Sequence, residues 1–115
     1  MLELLETQAV PWQLASYIGG GVQWRTILSE SSICWRRYTI DAALDSTGAT
    51  LSTELFSVLD AFENVISNTP RTLDFLMREG ELLFSDNRRT IHARTPISNN
   101  KASDRLMIRS WVRRG

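Results

Sequence analysis

Residues 82–112 read LLFSDNRRTIHARTPISNNKASDRLMIRSWV and contain the strongest fold signal in the chain. Apolar and β-branched residues favour strands here, and the polar runs between them favour turns and loops. The stretch therefore predicts a turn at 86–89 and a loop at 98–103, between strands at 82–84, 90–96 and 104–112. This end of the chain is expected to be β structure.

The same alternation continues upstream of this stretch. It predicts strands at residues 22–28 and 31–40, paired across a turn at 29–31. A further strand is expected at 72–77, and the Glu79-Gly80 pair is typical of a turn that follows it. We therefore expect one mostly β domain covering residues 1–115.

One clear helix is predicted near residues 51–67. Apolar residues recur there at steps of three and four, as on one face of a helix. Ser52 or Thr53 is a suitable N-cap, and the sequence Asn68-Thr69-Pro70 ends the pattern. The apolar stripe consists of Leu51, Leu55, Val58, Leu59, Phe62, Val65 and Ile66.

Composition excludes several classes of protein. The 115 residues include 13 basic and 13 acidic side chains, so net charge favours no polyanionic partner. A single cysteine, Cys34, forbids an internal disulfide and fits a reducing compartment, and one histidine cannot complete a Cys/His zinc site. No stretch resembles a signal peptide or a membrane span. A cytoplasmic protein without membrane association is expected.

The charge is unevenly distributed. Residues 88–114 contain eight basic residues against one acidic residue, Asp104. Because alternate residues of a strand share a face, Arg105 and Arg109 are expected on the same side of the last strand. Two such arginines suit a carboxylate ligand, whereas structural salt bridges are the alternative. No RNA-binding or helix-turn-helix motif accompanies the charge, so no nucleic-acid partner is expected.

The only histidine, His92, lies near the end of a predicted strand, upstream of these two arginines. A lone histidine is usually structural. Its position beside a predicted carboxylate site nevertheless makes it a candidate metal ligand, and imidazole is a common ligand of iron.

These residues resemble the C-terminal signature of the clavaminate-synthase/taurine-dioxygenase-like family. Its members carry a pattern near DNRRxxHGRTxF and then a strand like DRxLxR, and the present chain reads DNRRTIHART and DRLMIR at residues 86–95 and 104–109. The resemblance implies a double-stranded β-helix (jelly roll) and an Fe(II)- and 2-oxoglutarate-dependent oxygenase.

The resemblance also implies roles for individual residues. His92 matches the distal iron-binding histidine, Arg105 the arginine that holds 2-oxoglutarate, and Arg109 an arginine of the substrate pocket. Asn87 matches a turn residue that positions the site, and the role of Arg94 stays open.

The chain departs from the family pattern in two respects. Ala93 replaces the usual glycine after the histidine, and the His-x-Asp/Glu pair that supplies the other two iron ligands is absent. We therefore expect residues 1–115 to be the C-terminal part of one dioxygenase domain, inactive alone, and we assign no catalytic residue.

Two functions remain as expectations. The first is the C-terminal part of an oxygenase that hydroxylates or desaturates a small amino-acid-like substrate. The alternative is a non-enzymatic β-domain derived from such an enzyme, which binds a carboxylate ligand or a protein partner. Half of a jelly roll leaves strand edges unpaired, so self-association through exposed edges is also expected.

Overall fold

The computed structural model describes residues 1–70, 73–94 and 107–113. Their helices are α1 (Leu2–Thr7), a 3₁₀ helix (Ser16–Ile18), α2 (Arg37–Thr47) and α3 (Thr53–Asn68), and their strands are β1 (Val10–Gln13), β2 (Val22–Arg25), β3 (Leu28–Ser29) and β4 (Ser32–Ile33). Within these residues, no helix has both the length and the apolar character needed to cross a bilayer.

Strands β1 and β2 form an antiparallel pair, with Val10 opposite Arg25 and Gln13 opposite Val22. The connection between them ends in Gly19, Gly20 and Gly21, all of which have positive φ angles that other residues rarely adopt. The three glycines therefore allow the chain to reverse direction between β1 and β2. The expected strand at 22–28 exists in its first half, but its partner is β1, a strand that the residue pattern did not predict.

Strands β3 and β4 form a short hairpin, with Leu28 opposite Ile33 and Ser29 opposite Ser32. The hydroxyl oxygens of the two serines lie 2.6 Å apart. A turn at this place was expected, but it joins strands of only two residues each.

Of the strand predicted over 31–40, only Ser32–Ile33 is observed, as β4, and helix α2 begins at Arg37. Ile40 and Ala43 are fully buried, at helical spacing, and this burial outweighs the alternation that favoured a strand. Arg37 also pairs with Asp41 four residues later at 3.0 Å, a geometry typical of a helix surface. Helix α2 ends at Thr47, and the next residue, Gly48, caps it with a backbone in the left-handed conformation.

The helix expected near 51–67 is observed as α3, Thr53–Asn68. The Ser52 hydroxyl accepts a hydrogen bond from the Leu55 amide at 3.1 Å, so Ser52 is the N-cap. The apolar stripe turns Leu55, Leu59 and Phe62 into the core, as the spacing predicted.

The core joins the three α-helices to the strands. It consists of Leu5, Val10, Trp12, Ile27, Ile40, Leu55, Leu59 and Phe62. Arg37 links α2 to α3 through a 2.8 Å contact with Asp60. Burial lowers the pKa of Arg37, but its hydrogen bonds to Asp41 and Asp60 more than offset this and the net shift is upward. The guanidinium is therefore charged at every relevant pH.

Residues 73–94 and 107–113 contain turns but no helix or strand. The turn expected at Glu79-Gly80 is present, with Gly80 at a φ angle of 82°. Strands were expected at 72–77, 82–84, 90–96 and 104–112, and the described parts of these ranges form none. The jelly roll stays a prediction. The loop at 98–103 lies outside them.

Substitution of the α3 cap should measurably destabilise the protein. Ser52→Ala removes the acceptor for the Leu55 amide, and we expect the free energy of unfolding to fall by about 1 kcal/mol. Urea denaturation followed by circular dichroism would measure it. Ser57→Ala, on the exposed face of the same helix, is the matched control, and an equal loss in both variants would contradict the capping role.

Candidate ligand cleft at His92

The turn that precedes His92 is organised by Asp86. One Asp86 carboxylate oxygen accepts from the Arg88 amide at 3.1 Å. The Asp86 carbonyl accepts from the Arg89 and Thr90 amides at 3.0 Å each and from the Thr90 hydroxyl at 2.8 Å. An aspartate that bonds the backbone two residues later is a common turn device. The Asp-Asn sequence thus forms the turn that the sequence predicted at 86–89.

This turn is attached to the core through β4. The Ile33 amide donates to the Arg88 carbonyl at 2.7 Å, and the next amide, that of Cys34, donates to the Ile27 carbonyl at 2.9 Å. Ile27 is buried in the core. Ile33 therefore binds the turn, and its neighbour Cys34 binds the hydrophobic core, so the two residues tie the turn to the core.

A cleft lies between the turn and the segment that follows β4. Its cavity volume is about 90 Å³ and it is open to solvent. Its lining combines apolar and polar side chains, and it contains the only histidine and the only cysteine of the sequence. The lining residues are Ile33, Cys34, Trp35, Asn87, Thr90, Ile91 and His92.

The two side chains that follow β4 are held in place by neighbours. The Cys34 sulfur accepts a hydrogen bond from the Arg25 guanidinium at 3.0 Å. The Trp35 indole donates to a Glu63 carboxylate oxygen at 2.6 Å and meets the Phe62 ring edge to face, with centroids 4.8 Å apart. Helix α3 therefore sets the orientation of this wall of the cleft.

His92 is placed where a ligand could reach its imidazole, because it is exposed and lines the cleft. It does not form a complete iron site. Within residues 1–70, 73–94 and 107–113, no group of three or more His, Cys, Asp or Glu side chains could hold a metal. One imidazole fits one position of an iron site, and the described part of the chain does not supply the others.

Of the two arginines, Arg109 is the one that lies within the described residues. Arg109 is exposed, and its guanidinium carbon lies 4.7 Å from the centroid of the Trp111 ring. Arg109 does not line the cleft of His92. Arg105 lies outside the described residues, so its predicted role stays a prediction.

Asn87 and His92 of the cleft belong to the motif at residues 86–95, whereas Cys34 and Trp35 on the other side of the cleft were not predicted as site residues. Cys34 fits the pattern of a small packed residue, and Trp35 fits one face of a strand. No local signal identifies them as site residues. They reach the cleft only because the turn at 86–89 bonds to Ile33, a contact between segments far apart in sequence.

Comparison with known proteins identifies one family. The sequence model of the family described as "Taurine catabolism dioxygenase TauD, TfdA family" matches residues 29–111, well over half of the chain. The matched region includes β4, both long helices and the cleft. No curated protein and no solved structure gives a significant match.

Loss of the Asp86 carboxylate should loosen the cleft. Asp86→Ala removes the acceptor for the Arg88 amide, and the neighbouring bond from Ile33 to Arg88 should open more often. We expect hydrogen exchange at the Ile33 amide to accelerate about tenfold, equivalent to roughly 1.4 kcal/mol. Exchange measured by NMR would test this. Asp74→Ala, an exposed aspartate outside the turn, should leave the Ile33 rate unchanged, and equal rates in both variants would contradict the role of Asp86.

Proposed function

This chain belongs to the TauD/TfdA family of dioxygenases, and we propose that it forms part of the active site of an Fe(II)- and 2-oxoglutarate-dependent oxygenase. The observation that carries the proposal is the position of His92. The only imidazole of the sequence lies within the family match and lines a cleft that is accessible from solvent. The histidine of the motif thus lines the cavity.

Within this proposal each site residue has one task. His92 binds iron through one imidazole nitrogen, and Arg105 holds the remote carboxylate of 2-oxoglutarate with paired donors. Arg109 binds an acidic group of the substrate. We propose a small amino-acid-like substrate, which is hydroxylated or desaturated, as in the clavaminate-synthase branch that the motif resembles. Iron and 2-oxoglutarate together would supply the oxidising chemistry.

The remaining iron ligands must come from residues outside this sequence. The sequence holds one histidine and lacks a His-x-Asp/Glu pair. We therefore propose that residues 1–115 form the C-terminal part of a jelly-roll domain, which is complete only together with a segment that supplies this pair. Because one cysteine fits a reducing compartment, a cytoplasmic location accompanies the proposal.

The shortage of metal ligands also favours a second candidate function. A domain derived from such an enzyme could keep the carboxylate-binding arginines without catalysis. Such a domain would bind 2-oxoglutarate or another carboxylate, or a protein partner, without iron. Binding of 2-oxoglutarate that is unaffected by iron(II), with no succinate formed when the missing pair is supplied, would favour this function over the first.

The decisive experiment joins this chain to a family segment that carries the His-x-Asp/Glu pair and measures succinate formation from 2-oxoglutarate. We expect succinate in the joined protein and none with His92→Ala. Arg105→Ala should weaken 2-oxoglutarate binding by about 2–4 kcal/mol, the scale of breaking a desolvated charge pair.

Arg109→Ala is the matched variant in the joined protein. It should weaken binding of the prime substrate and leave the uncoupled decarboxylation of 2-oxoglutarate largely intact. If neither arginine variant changed either property, the carboxylate-site assignment would be wrong.

The chain on its own should bind iron(II) only weakly, because a single imidazole is not a site. Anaerobic calorimetry with iron(II) should show no tight stoichiometric binding, and His92→Ala should change little. Tight binding that is lost in His92→Ala would reveal further iron ligands within this chain.

We also propose that the chain self-associates. The described residues after α3 expose a series of large apolar side chains, which monomeric proteins rarely leave in water. These residues are Leu73, Phe75, Leu76, Leu82, Leu83, Phe84, Ile108, Trp111 and Val112. Their backbone has no strand partner within the part of the chain that the structure describes, so pairing with a second copy would satisfy both features.

Sedimentation velocity would test self-association. The sedimentation coefficient of the wild-type chain should rise with concentration, and Phe84→Glu should reduce the rise because it places a charge in the apolar series. Phe84 is 84% exposed, and Tyr17, which is 89% exposed on the 3₁₀ helix, offers the matched control Tyr17→Glu. A monomer at all concentrations would contradict the proposal.

A further inference from the structure

We propose that Cys34 and Trp35 form one ligand cleft together with His92 and contact the substrate that binds there. The nature of that substrate, a small amino-acid-like molecule, rests on the proposed function. The shared cleft rests on the structure, in which all three side chains line the same cavity of about 90 Å³. Cys34 and Trp35 would then determine which substrates fit beside His92.

The geometry of β4 places these side chains. Ile33 donates its amide to the turn that precedes His92, and Cys34 donates its amide to the core residue Ile27. The chain is therefore fixed at both residues, immediately before Trp35. These two bonds hold the backbone of this wall of the cleft in place.

The side chains of the wall are also fixed. Trp35 is bonded to Glu63 and packed against Phe62, both on α3. Cys34 receives the Arg25 hydrogen bond, and Arg25 in turn lies over the Trp12 ring at 5.0 Å. Because each side chain has a partner outside the cavity, neither must rearrange for a ligand to enter.

The lining defines the chemistry of the ligand. Ile33, Trp35 and Ile91 offer apolar contact, whereas Asn87, Thr90 and His92 offer hydrogen-bonding groups. Among the described residues, no carboxylate side chain lines the cavity, and the Arg25 guanidinium is bonded to the Cys34 sulfur. The lining therefore suits a small molecule that has both an apolar part and hydrogen-bonding groups, as an amino-acid-like substrate does.

The first test uses the chain alone and does not depend on the proposed function. N-ethylmaleimide labels the only cysteine, and diethylpyrocarbonate then modifies the only histidine, which gives a single ultraviolet signal. We expect labelling at Cys34 to slow the modification of His92 several-fold, because the adduct occupies the shared cavity. Cys34→Ser, treated in the same way, should keep the unlabelled rate.

Methyl methanethiosulfonate is a smaller and reversible label, and it shows whether a slower His92 rate comes from unfolding rather than from the label in the cavity. Reduction should restore the original His92 rate, and the circular dichroism spectrum should not change. A His92 rate that is independent of the label on Cys34 would overturn the shared cleft.

The second test concerns the substrate and uses the joined protein described above. Cys34→Leu narrows the cavity and Trp35→Phe removes the indole while it keeps an aromatic ring. We expect each to raise the KM for the prime substrate about tenfold and to leave the binding of the cosubstrate, 2-oxoglutarate, unchanged. Trp24→Ala, which removes a half-exposed indole outside the cleft, is the control.

The outcomes separate the two proposals. If the joined protein forms no succinate at all, the proposed function fails, while the labelling experiment still decides whether the cleft is shared. If succinate forms and the Cys34 and Trp35 variants behave like Trp24→Ala, the proposed function stands and the role of these two residues in substrate selection is wrong.

Discussion

The hydrogen bond from the Ile33 amide to the Arg88 carbonyl, 2.7 Å long, is the contact on which the rest of the site depends. It joins the turn of the family motif to a short hairpin whose next residue bonds to the core. His92 lies in a segment that has no helix or strand within the described residues, and this bond ties that segment to the hairpin. With it, a histidine near the end of the chain and a tryptophan in its first half line the same cavity.

The parts of the fold that the sequence predicts are those controlled by local interactions. Helix α3 was predictable because Ser52 caps it and its apolar residues follow a single period. Helix α2 was not, because Tyr38 and Ile40 also fit a strand pattern. The deciding residue, Ala43, lies beyond the segment in which alternation is visible. Tertiary burial therefore overrode a local preference, as it often does for short apolar runs.

The same distinction between local and long-range interactions applies to the candidate site. The motif identified His92 and the Asp86 turn because their chemistry is local to a few residues. Cys34 and Trp35 could not be identified, since their place in the cleft follows from a hairpin, a core contact with Ile27 and packing against Phe62. The cleft lies within the family match, and under the proposed function the single histidine means that the other iron ligands would come from residues outside this sequence.

The two walls of the cleft also have a thermodynamic consequence. They come from residues 33–35 and 87–92, so the cavity exists only when the chain between them, about fifty residues long, is closed into a loop. Closure of this stretch costs conformational entropy, which the packing of α2 and α3 into the core and the bond at Ile33 offset together. Any ligand that touches both walls binds only the closed form, and its free energy of binding adds to the stability of the closed form. Occupancy of the cleft and completion of folding are therefore linked equilibria, and each favours the other.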